Sequence, residues 1–148
     1  MKLKITITGK VHDVGYRPFL FRLACRYSIT HFDARNVVIE DKQAVEVLVD
    51  GEEQDVKEFV ERIKSDKPLH AAVEDVKIEE FDGRIGTIKS FIDVFIIEQL
   101  DRIIQIGRSY LQKQDKTIGA IHETRTYLGE KIDLLRDDLK STRFDSCD

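Results

Sequence analysis

The chain has 148 residues, enough for one domain with a buried core or for a small domain with an extension. It carries 24 Lys and Arg against 28 Asp and Glu, and the net charge of −4 argues against a protein that binds nucleic acid through bulk charge. The N-terminus lacks an apolar signal core and charge interrupts every later apolar run, so we expect a cytoplasmic protein that does not enter the membrane.

The first ninety residues begin with a strand pattern followed by a helix pattern. Apolar and polar residues alternate from Leu3 to Ile7, which predicts a first strand. A helix is predicted to begin at Pro18, because proline is favoured at the first helical position and the apolar residues after it recur at helical spacing.

A hairpin and a second helix come next along the chain. Residues 34–39 predict a second strand, residues 40–43 a turn and residues 45–49 a third strand. Apolar spacing over residues 56–63 predicts a second helix that ends before Pro68, and residues 73–81 suggest a fourth strand. The order β-α-β-β-α-β is that of an α+β ferredoxin-like sandwich, in which a four-stranded antiparallel sheet carries two helices on one face.

The C-terminal segment has a different character. Ser90-Phe91-Ile92-Asp93 resembles a helix-capping sequence, and the absence of proline after it predicts a long helix over residues 91–140. Its apolar residues step by three and four, a coiled-coil-like heptad with one four-residue insertion near residues 112–116. Either this helix self-associates between chains, or it breaks near residues 113–119 into a helical hairpin. The narrow apolar stripe favours self-association.

These patterns divide the chain into two parts. Residues 1–90 form the predicted domain, and residues 91–148 form a helical extension that ends in a disordered tail and makes a homo-oligomer. The cysteines, Cys25 and Cys147, have neither metal-ligand nor redox spacing, and the four histidines are scattered. We therefore expect no metal site.

The loop between the first strand and the first helix is the candidate functional site. It runs from Gly9 to Pro18, and the backbone N–H groups of such a turn can converge on an anion in front of a helix N-terminus. Arg17 adds a planar fork of donors. The candidate phosphate-binding residues are therefore His12, Asp13, Val14, Gly15, Tyr16 and Arg17.

Two short motifs resemble those of the acylphosphatase family. Gly9-Lys10-Val11-His12-Asp13-Val14-Gly15-Tyr16-Arg17 is similar to the family's Gly-x-Val-Gln-Gly-Val-x-Phe-Arg loop, and Ala34-Arg35-Asn36 is similar to its downstream Arg-Asn element. The continuation from Arg17-Pro18-Phe19 to Ala24 looks more like the acylphosphatase-like N-terminal domain of the hydrogenase-maturation carbamoyltransferases than like the small stand-alone enzymes. The resemblance covers residues 1 to about 90.

The resemblance implies a hydrolase that splits the carboxyl–phosphate bond of small acyl phosphates. Arg17 and the backbone N–H groups of residues 12–17 would hold the phosphate, and the Asn36 amide would position the attacking water. Arg35 is expected to face solvent or an acidic neighbour. The family mechanism uses no metal, no cofactor and no covalent intermediate.

Two departures from the family pattern motivate a rival interpretation. His12-Asp13 replaces the usual Gln-Gly, so a carboxylate stands in the phosphate loop, and Phe32 replaces a glycine that commonly begins the second motif, near the approach to Asn36. The alternative function is an impaired acylphosphatase-like binding or assembly module that oligomerises through its C-terminal helix.

Overall fold

The computed structural model describes residues 1–145. In this range the chain folds in the order strand, helix, strand, strand, helix, strand, helix. The elements are β1 (Lys2–Lys10), α1 (Tyr16–Arg26), β2 (His31–Ile39), β3 (Lys42–Asp50), α2 (Glu53–Ser65), β4 (Ala72–Glu80) and α3 (Ile88–Asp145). The predicted ferredoxin-like α+β fold followed by a long helix is confirmed.

The four strands form one antiparallel sheet in the order β2-β3-β1-β4. Ile5 and Ile7 of β1 pair with Val47 and Val45 of β3, and all four side chains are buried in the core with residues of α1 and α2. The alternating apolar residues that predicted β1 therefore do form the helix-covered face of the sheet.

α1 begins at Tyr16, two residues before the predicted start at Pro18. Gly15 is the residue that precedes the helix, and its carbonyl accepts the first helical hydrogen bond from the Phe19 N–H at 3.1 Å. Pro18 is therefore the third helical residue. The prediction was wrong because the missing N–H of proline is harmless anywhere in the first turn, where N–H groups have no acceptor within the helix.

The β2–β3 hairpin has a shorter turn than predicted. Glu40 and Asp41 have φ angles of 48° and 63°, typical of a two-residue turn that matches the strand twist, and Lys42 already pairs with Ile39. The predicted turn over residues 40–43 was therefore too long. The difference matters because it places Gln43 inside β3, beside the loop that follows β1.

α3 begins at Ile88 rather than after Ser90. The Thr87 hydroxyl accepts a hydrogen bond from the Ser90 N–H at 3.2 Å and lies 2.8 Å from the Ser90 hydroxyl, so Thr87 caps this helix. The chain just before α3 also pairs with the start of β2, since Phe32 N–H donates to the Gly86 carbonyl and Ile88 N–H to the Thr30 carbonyl, each at 3.0 Å. The predicted cap at Ser90 was wrong: the helix begins at Ile88, so Ser90 lies in its first turn and Thr87 makes the capping hydrogen bond.

Met1–Ile97 form one compact unit, and a second unit begins at Glu98. The first ten residues of α3 thus belong with the ferredoxin-like fold, whereas the prediction placed the boundary at residue 90. α3 continues without a break through residues 113–119, so the helical-hairpin alternative is wrong. Cys147 and the end of the predicted disordered tail lie outside the described residues.

Among the described residues, no helix is both long enough and apolar enough to cross a membrane.

Candidate active site

The candidate site begins at Gly9, where β1 leaves regular pairing with β4. The register between these strands shifts between Thr8 and Gly9, and Gly9 has a φ of 129°. A Cβ atom at Gly9 would lie 2.1 Å from the Ala72 carbonyl oxygen. Only glycine fits this bulge, which directs the chain out of the sheet and into the loop.

The loop itself contains two residues with left-handed backbone. Asp13 has a φ of 56° and Gly15 a φ of 75°. Successive residues of changing hand turn backbone N–H groups toward one side, and α1 then presents the positive end of its dipole. Asp13 is exposed and adopts the backbone conformation that the family's glycine favours, which aspartate tolerates better than most residues.

Gln43 of β3 holds the first half of this loop. Its Oε1 atom accepts hydrogen bonds from the Val11 N–H at 3.2 Å and the His12 N–H at 3.0 Å. The His12 ring contributes a third contact, because its Nε2–H donates to the Ala44 carbonyl at 2.8 Å. The backbone N–H of His12, one of the predicted phosphate-binding residues, is thus already bonded within the protein.

Arg17 lies in the first turn of α1 and contacts the C-terminal helix. Its Cζ atom is 5.1 Å from the centre of the Phe95 ring, a cation–π contact. A ring over the face of a guanidinium fixes the plane of that group and so restricts the orientation of Arg17. Phe95 is itself stacked on Phe91 at a centroid distance of 5.6 Å, and this packing holds the Phe95 ring in place against Arg17.

Asn36 lies on β2, on the sheet face that the helices cover. It pairs with Val45, which in turn pairs with Ile7, so the three side chains form a row on one face. Val45 and Ile7 are buried, whereas Asn36, on the edge strand β2, is exposed. The row lies near the end of β1 from which the loop leaves, so the fold places Asn36 and Arg17 on the same side of the sheet.

Arg35 points to the opposite face of the sheet from Asn36. Its guanidinium donates to the Asp33 carboxylate, and this hydrogen bond raises the pKa of Arg35. The expectation that Arg35 would meet an acidic neighbour is confirmed, and its side chain belongs to the other face of β2.

Phe32, the second departure from the family pattern, is a core residue. Its side chain is 1% exposed and packs edge-on against Phe91 and Phe59 at centroid distances of 4.8 Å and 6.4 Å. The aromatic side chain therefore supplies the surface on which the start of α3 packs.

Tyr16 stands where the family's loop has phenylalanine. Its side chain is 2% exposed, and among the described residues its hydroxyl has no hydrogen-bond partner. Burial, with a smaller contribution from the charge of Asp66, raises the pKa of Tyr16 to about 12. The residue acts as an aromatic anchor for the loop, and its polar atom is a local cost to stability.

Sequence reasoning missed Gln43 and Phe95. An exposed glutamine in a predicted turn and an aromatic residue in a predicted extension carry no signal of a site by themselves. Only the hairpin register and the packing of α3 place them beside the loop.

Comparison with known proteins places most of this chain in a known family. The acylphosphatase family matches residues 3–92. The probable carbamoyltransferase HypF of Methanocaldococcus jannaschii is 32% identical over 98 residues, which cover 66% of this chain but 12% of that protein. The acylphosphatase of Caldivirga maquilingensis is 31% identical over 83 residues, which cover 56% of this chain and 83% of that protein.

Two solved structures are similar to part of this chain. The structure of acylphosphatase from Bacillus subtilis covers 56% of this chain and 87% of its own, with 26% identity and a TM-score of 0.46. The structure of T.kodakarensis HypF covers 57% of this chain and 11% of its own, with 30% identity and a TM-score of 0.48.

The family match covers 90 of the 148 residues, which is more than half of the chain. The chain belongs to the acylphosphatase family. The matched range ends at residue 92, so most of α3 lies beyond it.

Proposed function

We propose that this protein is an acylphosphatase that hydrolyses small acyl phosphates to a carboxylate and inorganic phosphate. The observation that carries the proposal is the left-handed Asp13–Gly15 loop, which leads directly into the first turn of α1 where Arg17 stands. Such a loop and helix terminus, with one arginine beside them, can neutralise the three outer oxygens of a phosphoryl group.

Asn36 supplies the second element of the proposed mechanism. An amide can both donate and accept a hydrogen bond without changing its charge, so it can hold a water in line with the phosphorus–oxygen bond that breaks. The leaving group is a carboxylate, which needs no proton from the enzyme. Positioning the water and neutralising charge are therefore sufficient, as is usual for phosphoryl transfer.

The proposal is tested with benzoyl phosphate in the presence of a metal chelator. We expect hydrolysis by the native protein and a fall of at least ~10²-fold in Arg17→Ala, because a preorganised charge at the reacting group is lost. Asn36→Ala is expected to lower kcat while leaving the affinity for inorganic phosphate within about threefold, because Asn36 contacts the water. Arg22→Ala, which removes an exposed arginine from the same helix, is the matched control. Unchanged rates in both site variants would refute the assignment.

A second candidate is a phosphate-binding module that does not turn over substrate. Asp13 favours it, because this exposed carboxylate occupies a left-handed loop position where the family has glycine. This candidate predicts that inorganic phosphate binds in an Arg17-dependent manner while benzoyl phosphate is not hydrolysed. The two functions therefore separate when binding and hydrolysis are measured on the same samples.

We also propose that the protein self-associates through α3. All described side chains from Leu100 to Arg143 are exposed, and large apolar residues recur among them along the helix. A helix with so much uncovered Leu and Ile needs a partner to remove that surface from water.

A further inference from the structure

Along the unbroken helix α3, the apolar residues can also be assigned to a regular heptad repeat that needs no insertion. We call this line of residues the seam. The seam starts at Ile97 and ends at Leu139, and the spacing between successive positions alternates regularly between three and four residues. Most of these positions hold Leu or Ile. The positions of this seam are 97, 100, 104, 107, 111, 114, 118, 121, 125, 128, 132, 135 and 139. A seven-residue repeat that persists over six heptads is the signature of a left-handed coiled coil.

The seam is uncovered along its length. Each Leu and Ile at a seam position is between 50% and 70% exposed. A straight helix drifts by ~20° per heptad relative to this repeat, so over six heptads the seam turns by about 120°. Only a helix that winds around α3 can cover it from end to end.

From this seam we propose that α3 pairs with α3 of a second copy of the chain in an antiparallel two-stranded coiled coil. The inference extends the self-association proposed above, and it is independent of catalysis. It depends on three seam positions that are not Leu or Ile: Gly107, Gln114 and Arg125.

A parallel pairing in register handles these three positions badly. It places Arg125 against Arg125 inside the seam and Gly107 against Gly107, which leaves a gap between the helices. In the positions that flank a parallel seam, Lys131 would also face Arg136 of the other copy. The contacts between like-charged residues, together with the gap at Gly107, disfavour the parallel orientation.

An antiparallel pairing centred between Gly119 and Ala120 gives each of these three seam positions a compatible partner. Gln114 lies opposite Arg125, so that an amide oxygen can accept a hydrogen bond from the guanidinium, and Gly107 lies opposite the bulky Ile132. The remaining layers join apolar residues, for example Leu100 with Leu139, Ile104 with Leu135 and Leu111 with Leu128.

The flanking charges agree with the same register. Asp101 faces Arg136 of the other copy, and Asp115 faces His122, each pair occurring twice by symmetry. No like-charged residues face each other at the flanking positions of this register over residues 101–138. Flanking charges of this kind set the orientation of coiled coils.

Disulfide trapping tests the orientation. In full-length protein with Cys25→Ser and Cys147→Ser, we expect neither Leu100→Cys nor Leu139→Cys to form a disulfide dimer alone, and a mixture of the two to form a crosslinked heterodimer. Residue 100 meets residue 139 only in the antiparallel register, and a disulfide requires Cα atoms within about 7 Å. A crosslink in Leu100→Cys alone, or none in the mixture, overturns the proposal.

A charge exchange gives a second test without cysteines. We expect Asp101→Arg to raise the dimer dissociation constant about tenfold in sedimentation, since two attractive pairs become repulsive, and Asp101→Arg with Arg136→Asp to restore it. Asp137→Arg, on the outer face of the helix, is the matched control. A native chain that sediments as a monomer, or as an oligomer larger than a dimer, overturns the proposal. Benzoyl phosphate hydrolysis in the same samples reports separately on the proposed function.

Discussion

Phe91 joins the start of α3 to the ferredoxin-like fold, and removing its ring tests that connection. The side chain is 8% exposed and packs against Phe32, Phe95 and Phe21 at centroid distances of 4.8, 5.6 and 5.7 Å. Truncating a buried Phe to Ala costs 3–5 kcal/mol through lost burial and the cavity that remains. Three aromatic neighbours place Phe91→Ala in the middle of that range, at about 4 kcal/mol.

The assay is urea unfolding of full-length protein at a fixed concentration, followed by circular dichroism. At a typical m-value for a small domain, a loss of ~4 kcal/mol lowers the midpoint by about 2 M. Val94→Ala is the control, because Val94 lies on the same stretch of helix but is 57% exposed. We expect this variant to stay within ~0.5 kcal/mol of the native protein.

Truncation gives a second measure of the same contact. A chain ending at residue 97 keeps Phe91 and Phe95, whereas a chain ending at residue 90 loses both, so the shorter chain should be destabilised at least as much as Phe91→Ala. If Phe91→Ala costs less than ~1 kcal/mol, or if both truncated chains are equally stable, then α3 does not complete the domain and the reasoning fails.

Four further predictions concern the loop and the residues that contact it. Asp13→Gly and Asp13→Asn should both strengthen the binding of inorganic phosphate, measured by calorimetry, because each removes a negative charge from the loop. For a charge ~6 Å from the ligand the affinity should rise by up to about a hundredfold. An unchanged affinity in both variants would show that the carboxylate faces away from the ligand. Tyr16→Phe should stabilise the protein by about 1 kcal/mol in thermal unfolding, because a buried hydroxyl without a partner in residues 1–145 is removed. Since the pKa of Tyr16 in the folded protein is about 12, above the usual value of 10.0, the native protein should lose stability as the pH rises through this interval, and Tyr16→Phe should lose less. Phe95→Leu should raise the KM for benzoyl phosphate about three- to thirtyfold with a smaller change in kcat, since the cation–π contact that orients Arg17 is lost; an unchanged KM would mean that Phe95 does not position Arg17.

The fold was largely predictable because its patterns are local. Alternation in β1 and helical spacing in α2 report directly which side chains are buried, and the chain order of these elements allows few topologies. Errors arose at element ends, where a proline in the first turn and two possible caps before α3 offered several solutions of similar energy.

The candidate site divides in the same way. Gly9, Gly15 and Arg17 belong to one contiguous loop, so a sequence motif contains them, and the structure adds the reason that Gly9 must be glycine. Gln43 and Phe95 reach that loop from 31 or more residues away along the chain. No local pattern records such contacts, because they exist only once the hairpin register and the packing of α3 are set.

By itself, then, the sequence determined the α+β strand and helix order, the resemblance of the loop and the presence of a long C-terminal helix. All three depend on the chemistry of neighbouring residues. Tertiary structure alone decided that the loop after β1 is held by Gln43, that Arg17 lies against Phe95, and that the fold extends to Ile97. Each of these depends on side chains that are distant along the chain and meet only when burial of the shared core brings their elements together.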